Sequence, residues 1–112
     1  MKNKVFLVIS TCPDETSARA IARTLVTEGL AACVNLQTGV QSIYRWDGAL
    51  QEDAECLLMI KTTAGRLAAM TDRLRALHSC ELPEIVAVPV TAGLPGYLQW
   101  VADECRAPTG SD

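Results

Sequence analysis

The chain carries one histidine, and it stands in a short run of donor groups: His78, Cys80, Glu81 and Glu84 all fall within HSCELPE. Imidazole and thiolate at that spacing suit Cu(I) or Zn(II) better than Mg or Ca, which prefer oxygen ligands. The competing reading is structural. A histidine at a helix C-terminus is favoured by the helix dipole, and the thiol then simply packs. The structural reading is preferred, because no second Cys/His pair completes a four-ligand set. Cys12 precedes Pro13-Asp14-Glu15 at a helix start, where a thiol pKa can fall. The two carboxyl groups beside it oppose that effect, so packing is preferred there too. Glu84 follows Pro83 at a strand start. It reads as a metal ligand, as an acid/base group in a cleft, or as the partner of Lys61 across a subunit boundary, since a buried carboxylate needs such a partner. The structural pairing is preferred. Tyr44, Trp46, Tyr97 and Trp100 are four of only five aromatics. They read as anchors between subunits or as the wall of a cleft for a small ligand.

Other chemistries find little to stand on. There is no Ser-His-Asp pattern, and Cys80 and His78 two residues apart are weak as nucleophile and base; no enzyme is expected. A nucleotide site would want a Gly-rich loop or clustered cations, and neither occurs. Net charge is −3 with scattered Lys and Arg. No basic tract invites nucleic acid or an anionic membrane, and an RNA-binding sheet would need aromatics on its face. The apolar run Val5–Ile9 is too short for a signal-peptide core, no small-x-small site follows it, and nothing approaches a membrane span. The five cysteines are odd in number and widely spaced, with no C-x-x-C. That argues against a disulfide framework and a zinc knuckle. They are expected as reduced thiols of a cytoplasmic protein, most of them small core residues.

The elements that must position these groups are legible in order. Lys4–Thr11 is a continuous apolar, β-branched run, the pattern of a strand buried on both faces. Pro13-Asp14-Glu15-Thr16 starts a helix, with Pro in the first turn and acids at the positive end of the dipole. Ala18, Ile21, Ala22, Leu25 and Val26 form one face of it, and Gly29 ends it. Ala31–Thr62 then reads as one very long β-hairpin with its turn at Trp46-Asp47-Gly48. An arm of about fifteen residues would be ~50 Å long, so it must bend near Thr38-Gly39 or project beyond the domain. A long open edge is seldom left unpaired. Along the second arm Ala54, Cys56, Leu58 and Ile60 share one face, and Glu55, Leu57, Met59 and Lys61 the other. Leu67, Met70, Leu74 and Leu77 mark a second helix ending near His78. Ile85–Val90 is a strand whose Pro89 places it at an edge or a bulge. Tyr97–Cys105 is a short final helix, with Leu98, Val101 and Cys105 on one side.

The order β-α-β-β-α-β predicts an α+β fold: a ferredoxin-like antiparallel sheet with two helices on one face, plus the extra C-terminal helix. The uncovered face would be apolar, which is unusual for a soluble monomer, so self-association with closed symmetry is expected. Residues 1–106 read as a single domain and 107–112 as a disordered tail.

The chain resembles the CutA family, the divalent-cation tolerance proteins. The matching segments are CPDETSARAIARTLV (12–26), LAACVNL (30–36), SIYRWDG (42–48), ECLLMIKT (55–62), LPEIVAVPV (82–90) and YLQW (97–100). The resemblance covers roughly Val5 to Cys105 and implies a compact homotrimer, its sheets facing inward and its hairpins reaching across to neighbours. It also implies copper or divalent-metal binding through a Cys, a His and a Glu. The Glu falls on Glu84. The Cys position falls on Ser10, two residues before Cys12, and the proposed His ligand falls on Leu77. His78 matches the opening histidine of a His-Pro-Tyr-Glu-x-Pro-Glu motif, which here carries Ser79 and Cys80 in place of Pro and Tyr. The expectation is a homotrimer that binds copper or another divalent metal, with His78, Glu84, Cys80 and Cys12 as candidate ligands. Tyr44, Trp46, Lys61, Tyr97 and Trp100 are expected at an interface or cleft. The alternative is a trimeric sensor or adaptor that binds small molecules between subunits.

Overall fold

A computed structural model describes residues 3–106; the tail expected to be disordered, 107–112, lies outside the described residues. The elements are β1 (Val5–Cys12), α1 (Glu15–Thr27), β2 (Cys33–Trp46), β3 (Ala49–Thr63), α2 (Ala64–Leu77), β4 (Ile85–Pro89) and α3 (Pro95–Glu104). The strands form one antiparallel sheet in the order β2-β3-β1-β4, the predicted α+β arrangement.

Asp14 rather than Pro13 opens α1. Its backbone is extended and its carboxylate accepts from the Ser17 N–H at 2.7 Å, so Pro13 sits before the cap instead of in the first turn. A carboxylate that satisfies an orphan N–H is the stronger start signal. The helix closes through two bonds. Gly29 N–H donates to the Val26 carbonyl at 3.1 Å, and Leu30 N–H to the Leu25 carbonyl at 2.9 Å. This is the Schellman pattern, which needs a left-handed residue just past the cap; Gly29 supplies it at φ +71°.

The hairpin is as long as the sequence implied, with arms of 14 and 15 residues. Asp47 (φ 52°) and Gly48 (φ 75°) are both left-handed, the two-residue turn whose twist matches paired strands. The expected bend is a bulge: Gln37 faces Leu57 and Val40 faces Glu55, so Thr38 and Gly39 together oppose Cys56. β1 supports β3 only as far as the Cys12–Cys56 rung. Beyond it the two arms project with no third strand beside them.

The core lies on one face of the sheet. Val8, Cys12, Cys56, Leu58 and Ile60 are buried there beneath Leu25 of α1 and Met70 and Leu74 of α2. Within one chain β1 is not buried on both faces. Leu7, Ile9 and Thr11 are only half-buried, because both crossover helices lie on the other side. α3 covers one end of this second face, packing Val101 and Cys105 against Val5 and Ala32. The remainder is a strip of Leu7 and Ile9, Leu57 and Met59, Val86 and Val88, in register across three strands. β4 is an edge strand, where Pro89 needs no ladder donor.

Candidate functional site

A groove of about 650 Å³ runs between the projecting hairpin and the 78–84 segment. Tyr44 and Trp46 of β2 supply its aromatic wall, and His78, Cys80, Glu81 and Glu84 its polar side. The fold brings these together because α2 ends beside the point where β1 stops and the hairpin begins to project.

His78 is the C-cap of α2, its N–H bonded to the Leu74 carbonyl at 3.0 Å. Only 9% of it is exposed. Its ring is fully engaged. Nδ1 accepts from the Cys80 N–H at 3.1 Å, so the proton must sit on Nε2, which lies 2.6 Å from the Thr11 carbonyl and donates to it. The ring therefore pins the 78–80 turn to the end of β1, and neither nitrogen is left for a metal. Cys80 is the exposed thiol among the five. Glu81 and Glu84 are exposed carboxylates, and Glu55, half-buried, faces the same groove. The Tyr44 hydroxyl donates to the Asp53 carboxylate, and that bond, followed by partial burial, raises the phenol above its ordinary value.

Cys12 does not join this group. It is fully buried in the core beneath α1, and burial pushes its thiol up to about 11, with Cys56, Cys80 and the nearby carboxylates adding to the effect. Ser10, where the resemblance put a cysteine ligand, is also fully buried and points to the same core. Its Oγ is the one buried side-chain oxygen or nitrogen without a partner among the described residues.

Lys61, Tyr97 and Trp100 belong elsewhere. Lys61 and Tyr97 line a separate, mostly apolar cavity of about 510 Å³ between α3 and the open sheet face, with Val5, Leu7, Leu94 and Leu98. The Lys61 ammonium donates to the Asn35 side-chain carbonyl, with the Cys33 sulfur 3.9 Å away. Burial, then the neighbouring Cys33, raises the Tyr97 phenol. Trp100 packs on Tyr97 with ring centroids 5.5 Å apart. Tyr44 and Trp46 thus line the groove, Lys61 and Tyr97 the second cavity, and Trp100 only stacks on Tyr97. Thr11, Ser42 and Glu55 also line the groove. For Thr11 and Glu55 the signal was strand alternation, which turns each away from the core thiol next to it, Cys12 and Cys56.

The chemistry of this donor set is one soft sulfur among hard carboxylates. Among the described residues no three His, Cys, Asp or Glu side chains converge well enough to hold a metal ion. A resident metal does not fit the described residues of one chain alone.

Comparison with known proteins gives a consistent result. The family described as CutA1 divalent ion tolerance protein matches residues 6–104. The chain is 47% identical over 97 residues to the divalent-cation tolerance protein CutA of Thermus thermophilus, covering 87% of this chain and 94% of that one. It is 48% identical over 93 residues to the CutA homolog of Xenopus laevis, covering 83% of this chain and 62% of that one. With human CutA it is 50% identical over 91 residues, 81% of this chain and 51% of that one. The chain thus spans between about half and two thirds of these vertebrate relatives. Among solved structures, CutA of Xylella fastidiosa matches with a TM-score of 0.90 at 48% identity, over 92% of this chain and 99% of that one. CutA1 of Oryza sativa matches with a TM-score of 0.89 at 38% identity, over 92% and 94%.

Proposed function

The chain belongs to the CutA1 divalent ion tolerance family, and on that premise we propose that it works as a homotrimer in the response to divalent metal. Copper, or a related thiophilic ion, is the species handled. The observation that carries the reading is the position of Cys80: the exposed thiol of the chain stands in a groove with Glu55, Glu81 and Glu84. A thiolate selects soft ions, and carboxylates add charge. Because the described residues of one chain hold no complete ligand set, the remaining donors come from a neighbouring subunit. His78 holds the turn and does not ligate. The five free cysteines favour a reducing compartment such as the cytoplasm. The reading contains no catalytic step.

The test is titration of the reduced, metal-free protein with Cu(I), Cu(II) and Zn(II), with mass followed by light scattering. Saturable binding at a fixed ratio per subunit is expected, lost in Cys80→Ser and weakened in Glu84→Ala while the trimer persists. Binding unchanged in Cys80→Ser would remove the groove from the metal reading.

A second reading is favoured by the size and walls of the groove. About 650 Å³ beside Tyr44 and Trp46 is within the range of small-molecule sites, which supports a sensor or adaptor that binds an organic ligand between subunits. Quenching of tryptophan fluorescence by such a ligand, abolished in Trp46→Leu, distinguishes it.

A further inference from the structure

Cys12 and Cys56 are direct cross-strand partners, the last rung at which β1 supports β3. Both side chains point into the core face, and both belong to one buried cluster. Residues opposed in this way have Cα atoms about 4.5–5.5 Å apart, inside the about 4.4–6.8 Å that a disulfide spans. The rung is also a weak point of the sheet. Thr38 and Gly39 bulge out opposite Cys56, and Cys56 forms part of the wall of a depression of about 220 Å³ with Gly39 and Pro13. Cys56 is 2% exposed and Cys12 wholly buried, so an oxidant has to enter from this depression.

We propose that Cys12 and Cys56 form a dithiol that hydroperoxides convert to an intrachain disulfide, a modification site at the root of the projecting hairpin. The Cys56 thiolate, having lost its proton to solvent, attacks one peroxide oxygen. The O–O bond breaks, Cys56 becomes a sulfenic acid, and the departing hydroxide of hydrogen peroxide takes up a proton as water. The Cys12 sulfur then attacks the Cys56 sulfur. The S–S bond forms, the S–O bond breaks, and a second water leaves with the Cys12 proton. In sum, two thiols and one hydrogen peroxide give one disulfide and two waters.

The reaction is slow at neutral pH and quickens as pH rises, because burial raises both thiols above their ordinary value. The groups facing the pair are Asp14, Glu15 and Arg19 of the α1 start, Glu55 of β3 and Cys80. Most are acidic and oppose thiolate. The product would clamp β1 to β3 where the hairpin leaves the sheet and so fix the angle at which the arms project. This assignment rests on the cross-strand geometry of the rung and not on the metal reading.

The experiment uses reduced, full-length Cys80→Ser protein in chelator, treated with hydrogen peroxide between pH 7 and 9 and then denatured. The four remaining thiols are expected to fall to two, and the mass by about 2 Da for the hydrogens lost. Peptide mapping should join Cys12 to Cys56, and the rate should rise with pH as the thiolate fraction does. Adding Cys56→Val, which keeps the core packed, should leave the thiols free. Unmodified Cys12 and Cys56 at pH 9, a bond to Cys33 or Cys105, or the same two-thiol loss in the Cys56→Val protein would each overturn the proposal.

Discussion

Both ring nitrogens of His78 are bonded inside the chain, so its replacement is a structural event. His78→Ala leaves the Thr11 carbonyl and the Cys80 N–H without their partner, at a cost of about 1–3 kcal/mol. A clear drop in the midpoint of urea unfolding is expected, with no such drop in Cys80→Ser; equal midpoints for the two would remove the pinning role. Asp14 gives a pH signature. The Ser17 N–H holds its carboxyl below the ordinary value. A depressed carboxyl stabilises the fold above the unfolded pKa, about 3.9, and that stability is lost as pH falls through the lower folded value. Melting temperature should therefore decline more steeply below pH 4 in the parent than in Asp14→Asn, whose amide caps at every pH. Parallel curves would show that the cap carries no charge-dependent stability. At this scale the sequence located His78 and Cys80 and preferred a structural role for His78, but did not show the contacts that carry it. The partner that decides the role of His78 is a backbone carbonyl 67 positions away, and no local pattern reports such a pairing. Cys12 stood as a packed thiol first and a candidate ligand second, and the end of β1 turns it inward into the core.

The elements were far more legible, because each has a local cause. Asp47-Gly48 can turn a hairpin in few other ways, and the alternation of β3 separates its buried and open faces residue by residue. What local signals missed was Pro13 against Asp14 as the helix opener, a competition between two favourable start residues. The two left-handed glycines that close elements make a ranked prediction. At Gly48 an added methyl meets open space, so Gly48→Ala costs only the left-handed backbone, about 1–2 kcal/mol. At Gly29 the same methyl would collide with the Arg106 carbonyl oxygen. Gly29→Ala therefore adds a collision with backbone to the same strain, and is expected to unfold at clearly lower denaturant than Gly48→Ala. The reverse order would mean that the chain after α3 gives way without cost.

At the scale of the molecule two features remain unfinished in a single chain. The radius of gyration is 14.6 Å and the long axis 46 Å, against about 13 Å expected for a compact domain of this length; the hairpin accounts for the excess. The strip on the open face is apolar across three strands, with Val86 50% and Val88 44% exposed. The apolar runs of β1 and β4 and the alternation of β3 revealed this strip and implied self-association, but not which residues of a neighbour cover it, since a partner surface leaves no periodicity of its own. The proposed trimer would bury the strip and support the hairpin, and the strip provides its test. Val86→Lys places a charge where the single chain already meets water, so the isolated fold should tolerate it with unchanged far-ultraviolet circular dichroism. In the assembly the same ammonium would be desolvated without a partner, at several kcal/mol. Light scattering is expected to give three chain masses for the parent and one for Val86→Lys. The parent should also melt at higher temperature as protein concentration rises, because assembly stabilises by mass action, and the variant should not. A Val86→Lys protein that keeps the parent's mass and its concentration dependence would mean that the subunits meet elsewhere, and that the open strip awaits a different partner.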